Sequence, residues 1–422
     1  MVSVCFYFQV HQPLRLKKYT IFDINNNHKY FDDNKNKEII KKVANKCYIP
    51  ANKLILNLIK KTKKNFKISY SITGIALDQF EEYVPEVIES FQNLADTGAV
   101  EFLSETYYHS LSFLYSKAEF KDQIEMHRKK IKNLFNSNPK IFRNTELIYN
   151  NKLGNFIEKL GYKGILAEGY SHVLGRHSPN FIYKPPGSKK IKLLLKNYKL
   201  SDDIAFRFSE KKWKDFPLTV KKYAKWINSI NRKCDIVNLF MDYETFGEHQ
   251  WARNGIFKFL KNLPHEILKN PNNNFVTPSE AVYKYDPIAE LDVQSSISWA
   301  DVERDLSAWL GNKMQQEALK ELYFIEKEIK YLNDKSLIKD WRKMQISDHF
   351  YYMCTKWFAD GDVHKYFNPY GSPYDGFIRY INVLNDLIGR LRNHKNLANS
   401  DNGRKLAQTN SNQIFSIRKN KT

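Results

Sequence analysis

The segment IVNLFMDYETFGEHQW, Ile236 to Trp251, is the strongest local chemical signal in this 422-residue sequence. An apolar run delivers Asp242, Glu244, Glu248 and His249 into a loop that also holds Phe246, Gly247 and Trp251. Carboxylates and an imidazole are costly to bury without a task, and the rings of Phe246 and Trp251 argue against a fully solvated loop. A further carboxylate, Glu146, follows the strand-like run of IFRNTELIYN. On that segment alone it reads equally as part of a helix start, with Asn144 and Thr145 as cap residues. Two carboxyl groups held by separate strands suit cleavage of a glycosidic bond: one attacks, the other protonates the leaving oxygen, and retention wants them about 5–5.5 Å apart. The acid must keep its proton near neutral pH, which needs burial or a nearby negative charge. Glu244 could supply that charge, or could instead bind a sugar hydroxyl.

Such residues need a frame. Short apolar runs at Val2–Val10, Lys67–Ile72, Val100–Leu103, Ile141–Arg143, Gly164–Ala167, Ile191–Leu195 and Ile236–Met241 read as strands. Helical patterns intervene at Ala51–Lys60, Phe80–Leu94, Glu119–Phe135 and Leu153–Leu160. Strands alternating with helices predict an α/β fold with a parallel sheet, and seven such strands suit an incomplete (β/α)7 TIM-like barrel. His11, His109, Glu146, Glu168 and Asp242 each follow a strand-like run, as an active site at the C-terminal mouth of a barrel requires. After Pro287 long amphipathic patterns take over, at Ala308–Asn333, Leu337–Lys343 and Asp375–Leu391, and predict a C-terminal helical bundle. The expected division is therefore a catalytic barrel over 1–286, a helical domain over 287–392 that completes the site, and a disordered polar tail over 393–422.

Composition narrows the partners. The formal charge of +21 comes mostly from Lys scattered among Asn and Ile, a pattern of solvated helix faces that predicts no specific nucleic-acid partner. The four cysteines, Cys5, Cys47, Cys234 and Cys354, form no CxxC pair, so neither a disulfide framework nor a sulfur-ligated zinc site is expected. No run of 18 apolar residues exists to span a membrane. The start MVSVCFYFQVHQP reads as a strand in place of a signal peptide, which makes a reducing cytoplasm the expected compartment.

Taken in order, the motifs resemble those of glycoside hydrolase family 57, the α-amylase and 4-α-glucanotransferase family built on a seven-stranded barrel. His11, Gln12 and Pro13 match its first motif. Gly98–Glu101 looks like the second, in which Glu101 would be a substrate-site residue. Glu146 falls where the family has its nucleophile. Asp242–Gly247 is similar to the fourth, with Asp242 as acid/base and Glu244 in contact with substrate. Gln345–Tyr351 looks like the fifth, supplying Asp348 to the cleft. The resemblance covers about residues 1–390. One position departs from it: the family often has Trp three residues before the nucleophile, where this chain has Arg143, and this bears on the shape of a nearby subsite. The resemblance implies a retaining hydrolase of α-1,4-glucosidic bonds in starch- or glycogen-like α-glucans and maltooligosaccharides, with no cofactor and no metal.

Further contacts are expected around that pair. Phe246, His249 and Trp251 would meet substrate from the Asp242 loop, and His109, in ETYYHSL, from beyond the third strand. In SWADVERDLSAWLGNKMQ, Trp299 and Trp309 could stack on glucose rings while Asp301 or Asp305 binds hydroxyls; a capped helix with a buried Trp reads equally well. Three rival functions remain open to the sequence. They are a 4-α-glucanotransferase using the same carboxylates, a metal-dependent polysaccharide deacetylase drawing on His11, His109, His172, His177 or His249, and a non-catalytic glycan-binding protein.

Overall fold

In the computed structural model, residues 2–230, 234–356 and 363–394 are described. Among the described residues there are nine strands: β1 (Val2–Val10), β2 (Ile68–Ile72), β3 (Val100–Phe102), β4 (Ile141–Arg143), β5 (Gly164–Glu168), β6 (Ile182–Tyr183), β7 (Lys192–Lys196), β8 (Ile236–Asp242) and β9 (Asn273–Phe275). β1 is buried along its whole length, as a strand packed on both faces must be. It pairs in parallel with β2 and β8, and β2 pairs with β3. A second parallel set runs β4, β5, β7.

Two links close these sets into a ring of seven strands. A parallel bridge joins Ser104, just past β3, to Phe142 of β4. On the other side Asn197 N–H donates to the Asn238 carbonyl (2.9 Å), and the Asn238 amide donates to the Leu195 carbonyl (2.9 Å). The short β6 lies antiparallel on β7, while Asn180 accepts from the Asp235 and Ile236 amides and so fills the seam between β7 and β8. The expected incomplete barrel is the observed one. Cys5, Tyr7, Leu103, Ile141, Leu166, Leu194 and Phe240 pack inside it.

The helices outside differ from expectation where turn chemistry intervenes. The run expected as one helix over Phe80–Leu94 is two, Gly74–Tyr83 and Pro85–Ala95, because Pro85 forces Val84 out of helical geometry. The run expected over Ala308–Asn333 is three pieces, Ser307–Leu310, Lys313–Phe324 and Glu326–Leu332. Asn312 interrupts it by capping the second piece through the Gln315 amide, and Asn333 ends it in the left-handed region.

These pieces, with Lys335–Lys343, Ser347–Tyr351 and a helix over 373–394, surround a separate core of Trp309, Leu322, Trp341, Phe350, Tyr380 and Leu387. Leu16, Tyr19 and Tyr30, from the loop after β1, are part of it. The expected tail lies outside the described residues from 395 onward; residues 393 and 394 are helical. Among the described residues no helix is long and apolar enough to cross a membrane.

Candidate active site

Glu146 sits in a tight turn, Thr145–Leu147, directly after β4. Its backbone is left-handed (φ 55°, ψ 28°), as are those of Leu147 (φ 52°) and His109 (φ 49°). Such geometry costs a non-glycine residue on the order of 1–3 kcal/mol and persists only where the surroundings impose it. Here they do: the Thr145 hydroxyl donates to the Ser110 carbonyl (2.8 Å), and the Trp299 amide donates to the Glu146 carbonyl (3.1 Å). The helix-start alternative falls away, since Asn144 makes no side-chain cap and the next helix is capped by Asn150.

Both carboxylate oxygens of Glu146 are held. Oε1 meets His109 Nε2 at 2.9 Å, and Oε2 accepts from the Trp299 indole at 2.6 Å. The other ring nitrogen of His109 faces Glu105 Oε2 (3.2 Å), and Gln9 Nε2 donates to Glu105 Oε1 (3.2 Å). Burial alone would lower the His109 pKa, yet the two carboxylates bonded to it raise it to about 9. Burial pushes the carboxyls of Glu146 and Glu105 up, but the His109 imidazolium and the Arg143 guanidinium outweigh it. Glu146 ends below its usual value and Glu105 at about 2.

Asp242 ends β8, opposite Gln9 of β1. Burial and the negative charge of Glu146 raise its pKa to about 6. Glu244 is bonded by the Tyr48 hydroxyl and, more loosely, by Gln12 Nε2 (3.4 Å). Burial and the charge of Asp242 raise it to about 8. His11 stacks on His109 with ring centroids 4.0 Å apart and bonds Asp348 Oδ2 at 2.8 Å. Burial and the adjacent imidazolium push the His11 pKa down, so His109 carries the charge of the two rings. Burial pushes Asp348 up, but the neighbouring imidazoles of His11 and His109 prevail and hold it at about 2. This bond ties the first barrel strand to the helical region.

The structure thus brings His11, Gln12, His109, Glu146, Asp242, Glu244, Trp299 and Asp348 into one cluster. Asp301 stands at its edge, paired with His364 (2.9 Å), whose ring stacks on Tyr351 (4.3 Å). Other expected contacts lie elsewhere. Glu101 points into the barrel near Cys5, and both its oxygens are taken by Ser279, whose amide lies at 2.8 Å. It caps the helix Pro278–Lys284 after β9, and the polar residue delivered beyond β3 is Glu105. Phe246 is buried against Phe8 (5.3 Å) in the barrel's outer core. Trp309 is buried in the helical core, and exposed Asp305 accepts from the amide of Ser307, the first residue of that short helix (2.8 Å). For these two the capped-helix reading holds, and neither Phe246 nor Trp309 offers a face to a sugar. His249 packs against Phe367 (5.6 Å) at the outer rim. Trp251 is 46% exposed, with the Arg253 guanidinium stacked over its ring at 3.9 Å.

Sequence reasoning missed several groups. Glu105 has a sequence signal, lying four residues before His109. A second cluster has a signal only at Glu168, which follows a strand-like run, and none at Arg304, Lys196 or Asp202. Glu168 ends β5 and accepts from Arg304 Nη1 (2.6 Å); Lys196 of β7 pairs with Asp202 (3.0 Å) and lies 3.6 Å from Glu168. Arg304, like Trp299 and Asp301, belongs to the segment 298–307, which therefore straps two strand ends, after β4 and at β5, and reaches His364 through Asp301. Among the described residues no group of three His, Cys, Asp or Glu side chains is arranged to hold a metal ion.

Comparison with known proteins places this geometry. A family model described as "Glycosyl hydrolase family 57" matches residues 5–294. A protein of Methanocaldococcus jannaschii named "Putative alpha-amylase" is 46% identical over 399 residues, covering 91% of this chain and 83% of its own length. Among solved structures, the 4-alpha-glucanotransferase of Thermococcus litoralis superposes with a TM-score of 0.66 at 17% identity over 83% of this chain; the chain spans 56% of that protein's length. The alpha-amylase AmyC of Thermotoga maritima gives 0.58 at 12% identity, over 93% of this chain and 96% of its own. At these identities the two structures share the fold.

Proposed function

The chain belongs to glycosyl hydrolase family 57, and from that premise we propose that it cleaves α-1,4-glucosidic bonds of starch- or glycogen-like glucans with retention, Glu146 attacking and Asp242 moving the proton. The observation that carries this reading is the opposed state of the two carboxyls. Glu146 is ionised and gripped by His109 and Trp299, while Asp242 holds its proton up to about pH 6. Environments that push two carboxyls apart in pKa assign one as nucleophile and the other as acid.

The mechanism follows. Glu146, its backbone fixed and both oxygens oriented, attacks the anomeric carbon, and Asp242 protonates the departing glycosidic oxygen. Ester formation removes the Glu146 charge, which is one of the two effects holding the Asp242 pKa up. Asp242 therefore becomes more acidic in the intermediate and acts as the base that draws a proton from the attacking water. Glu244, neutral below about pH 8, can donate to a sugar hydroxyl without adding charge beside Asp242. The named activity of the 46% identical relative agrees with an α-glucan substrate.

A ¹H NMR time course on maltoheptaose tests the reading. New reducing ends should appear first as the α-anomer; β-anomer first would overturn retention. Products longer than the substrate would make a sugar hydroxyl the acceptor in place of water.

A further inference from the structure

Arg143, the last residue of β4 and three before Glu146, points into the barrel as Ile141 does. It is fully buried, and Nε, Nη1 and Nη2 all lack a hydrogen-bond partner within the protein. A buried guanidinium with its donors unspent is expensive, and nothing in the packing of β4 requires one. Its surroundings show what the charge faces. Glu105 Oε2, beyond β3, is 3.9 Å away. The Trp299 ring of the strap lies over it, 4.9 Å from ring centroid to guanidinium carbon, with Lys196 of β7 at 5.3 Å from the same ring. Tyr7 of β1, His109, Glu146 and Asp242 of β8 all feel it directly.

We infer that Arg143 is a positioning residue for this reaction: an embedded positive charge that holds Trp299 over the nucleophile and keeps Glu105 and Glu146 as carboxylates. Two effects combine. The guanidinium attracts the indole face, and such a contact strengthens when desolvated; that fixes the indole N–H on Glu146 Oε2. The charge itself, undiluted by hydrogen bonds and remote from water, lowers the carboxyls of Glu105, Glu146 and Asp242 and opposes protonation of His109. It thus offsets part of the negative charge that Glu105, Glu146 and Asp242 bring together. The inference rests on Glu146 and Asp242 being the working pair.

The test compares Arg143→Met with Arg143→Lys in the full chain. The first readout is the titration of His109 by NMR with labelled histidine, which needs no activity. The second is the pH profile of kcat/KM on maltoheptaose. In Arg143→Met the His109 titration and both limbs of the profile should move up by about half a pH unit or more, with kcat falling more than KM changes. Arg143→Lys, which keeps the charge, should leave the titration and the limbs near those of the wild type. Coincidence of Arg143→Met with the wild type in both readouts, or of Arg143→Lys with Arg143→Met, would overturn the inference. Should Arg143→Met not fold, Arg143→Gln takes its place with the same criteria. If the wild type cleaves no α-glucan, the functional reading falls while the histidine titration still decides the role of Arg143.

Discussion

At the scale of single residues, the site works by separating like groups. Glu146 and Asp242 are both carboxyls within a common electrostatic field, yet His109 and Trp299 bind only the first. The rate should therefore be bell-shaped in pH. Protonating Glu146 on the acid side removes the nucleophile, and ionising Asp242 above about pH 6 removes the acid. A plateau in kcat/KM extending to pH 8 would contradict this assignment. Trp299→Phe keeps the ring and deletes the indole donor. A hydrogen bond to a charged group is worth about 1.5–3 kcal/mol, so kcat/KM should fall roughly 10–100-fold, with the acid limb moving up. Of these residues the sequence showed Asp242 by its loop and Glu146 only through motif order. It did not show that Phe246, an aromatic in a reactive segment, faces Phe8, since an apolar ring beside carboxylates fits a core and a cleft alike.

At the scale of elements, the strap 298–307 decides how well that separation is kept. It is joined to β4's turn by Trp299, to β5 and the helix Tyr198–Ala205 by Arg304, and to His364 by Asp301. Arg304→Met leaves Glu168 and Asp202 with Lys196 alone. Breaking a buried ion pair leaves an uncompensated charge, so stability should drop by about 3 kcal/mol, read from chemical unfolding, with loss of rate as Trp299 loosens. Trp309, in the helix that follows, behaves differently. Trp309→Ala should cost about 3–5 kcal/mol of stability through cavity formation, while the KM of the folded fraction stays that of the wild type. A weakened KM there would restore Trp309 to the sugar site. Elements were legible where period and length agreed, as in the seven barrel strands. The breaks at Pro85 and Asn312 were not, because a hydrophobic period carries across a turn that keeps the same face buried.

At the scale of the whole molecule, the barrel and the helical region meet at the reacting centre. Asp348, from the helix Ser347–Tyr351, bonds His11 at the end of β1. Residues 337 positions apart hold one another, a pairing no local signal could reveal; the family resemblance implied only that Asp348 reaches the cleft. The site's ionisation also sets the pH range of stability. His109 is raised to about 9, so its contribution is complete below about 6.5 and is lost as pH climbs to 9. Glu244, raised from 4.5 to about 8, and Asp242, raised from 3.8 to about 6, start the decline earlier, because the unfolded chain gives up their protons from about pH 4 while the folded state still holds them. Glu105 and Asp348, held at about 2, contribute above about pH 4 and lose that contribution as pH falls towards 2. The melting temperature should therefore fall from about pH 4.5 to 9, most steeply above about 6.5 where His109 joins in, and fall again below about pH 4, as calorimetry would read.

The central claim is that Glu146 makes the covalent bond. Treating Asp242→Asn with α-maltosyl fluoride, whose leaving group needs no acid, and digesting the product for mass spectrometry addresses it most directly. One added maltosyl group is expected on the peptide that contains Glu146. An adduct on a different carboxylate, or none while the fluoride is still turned over, would contradict it.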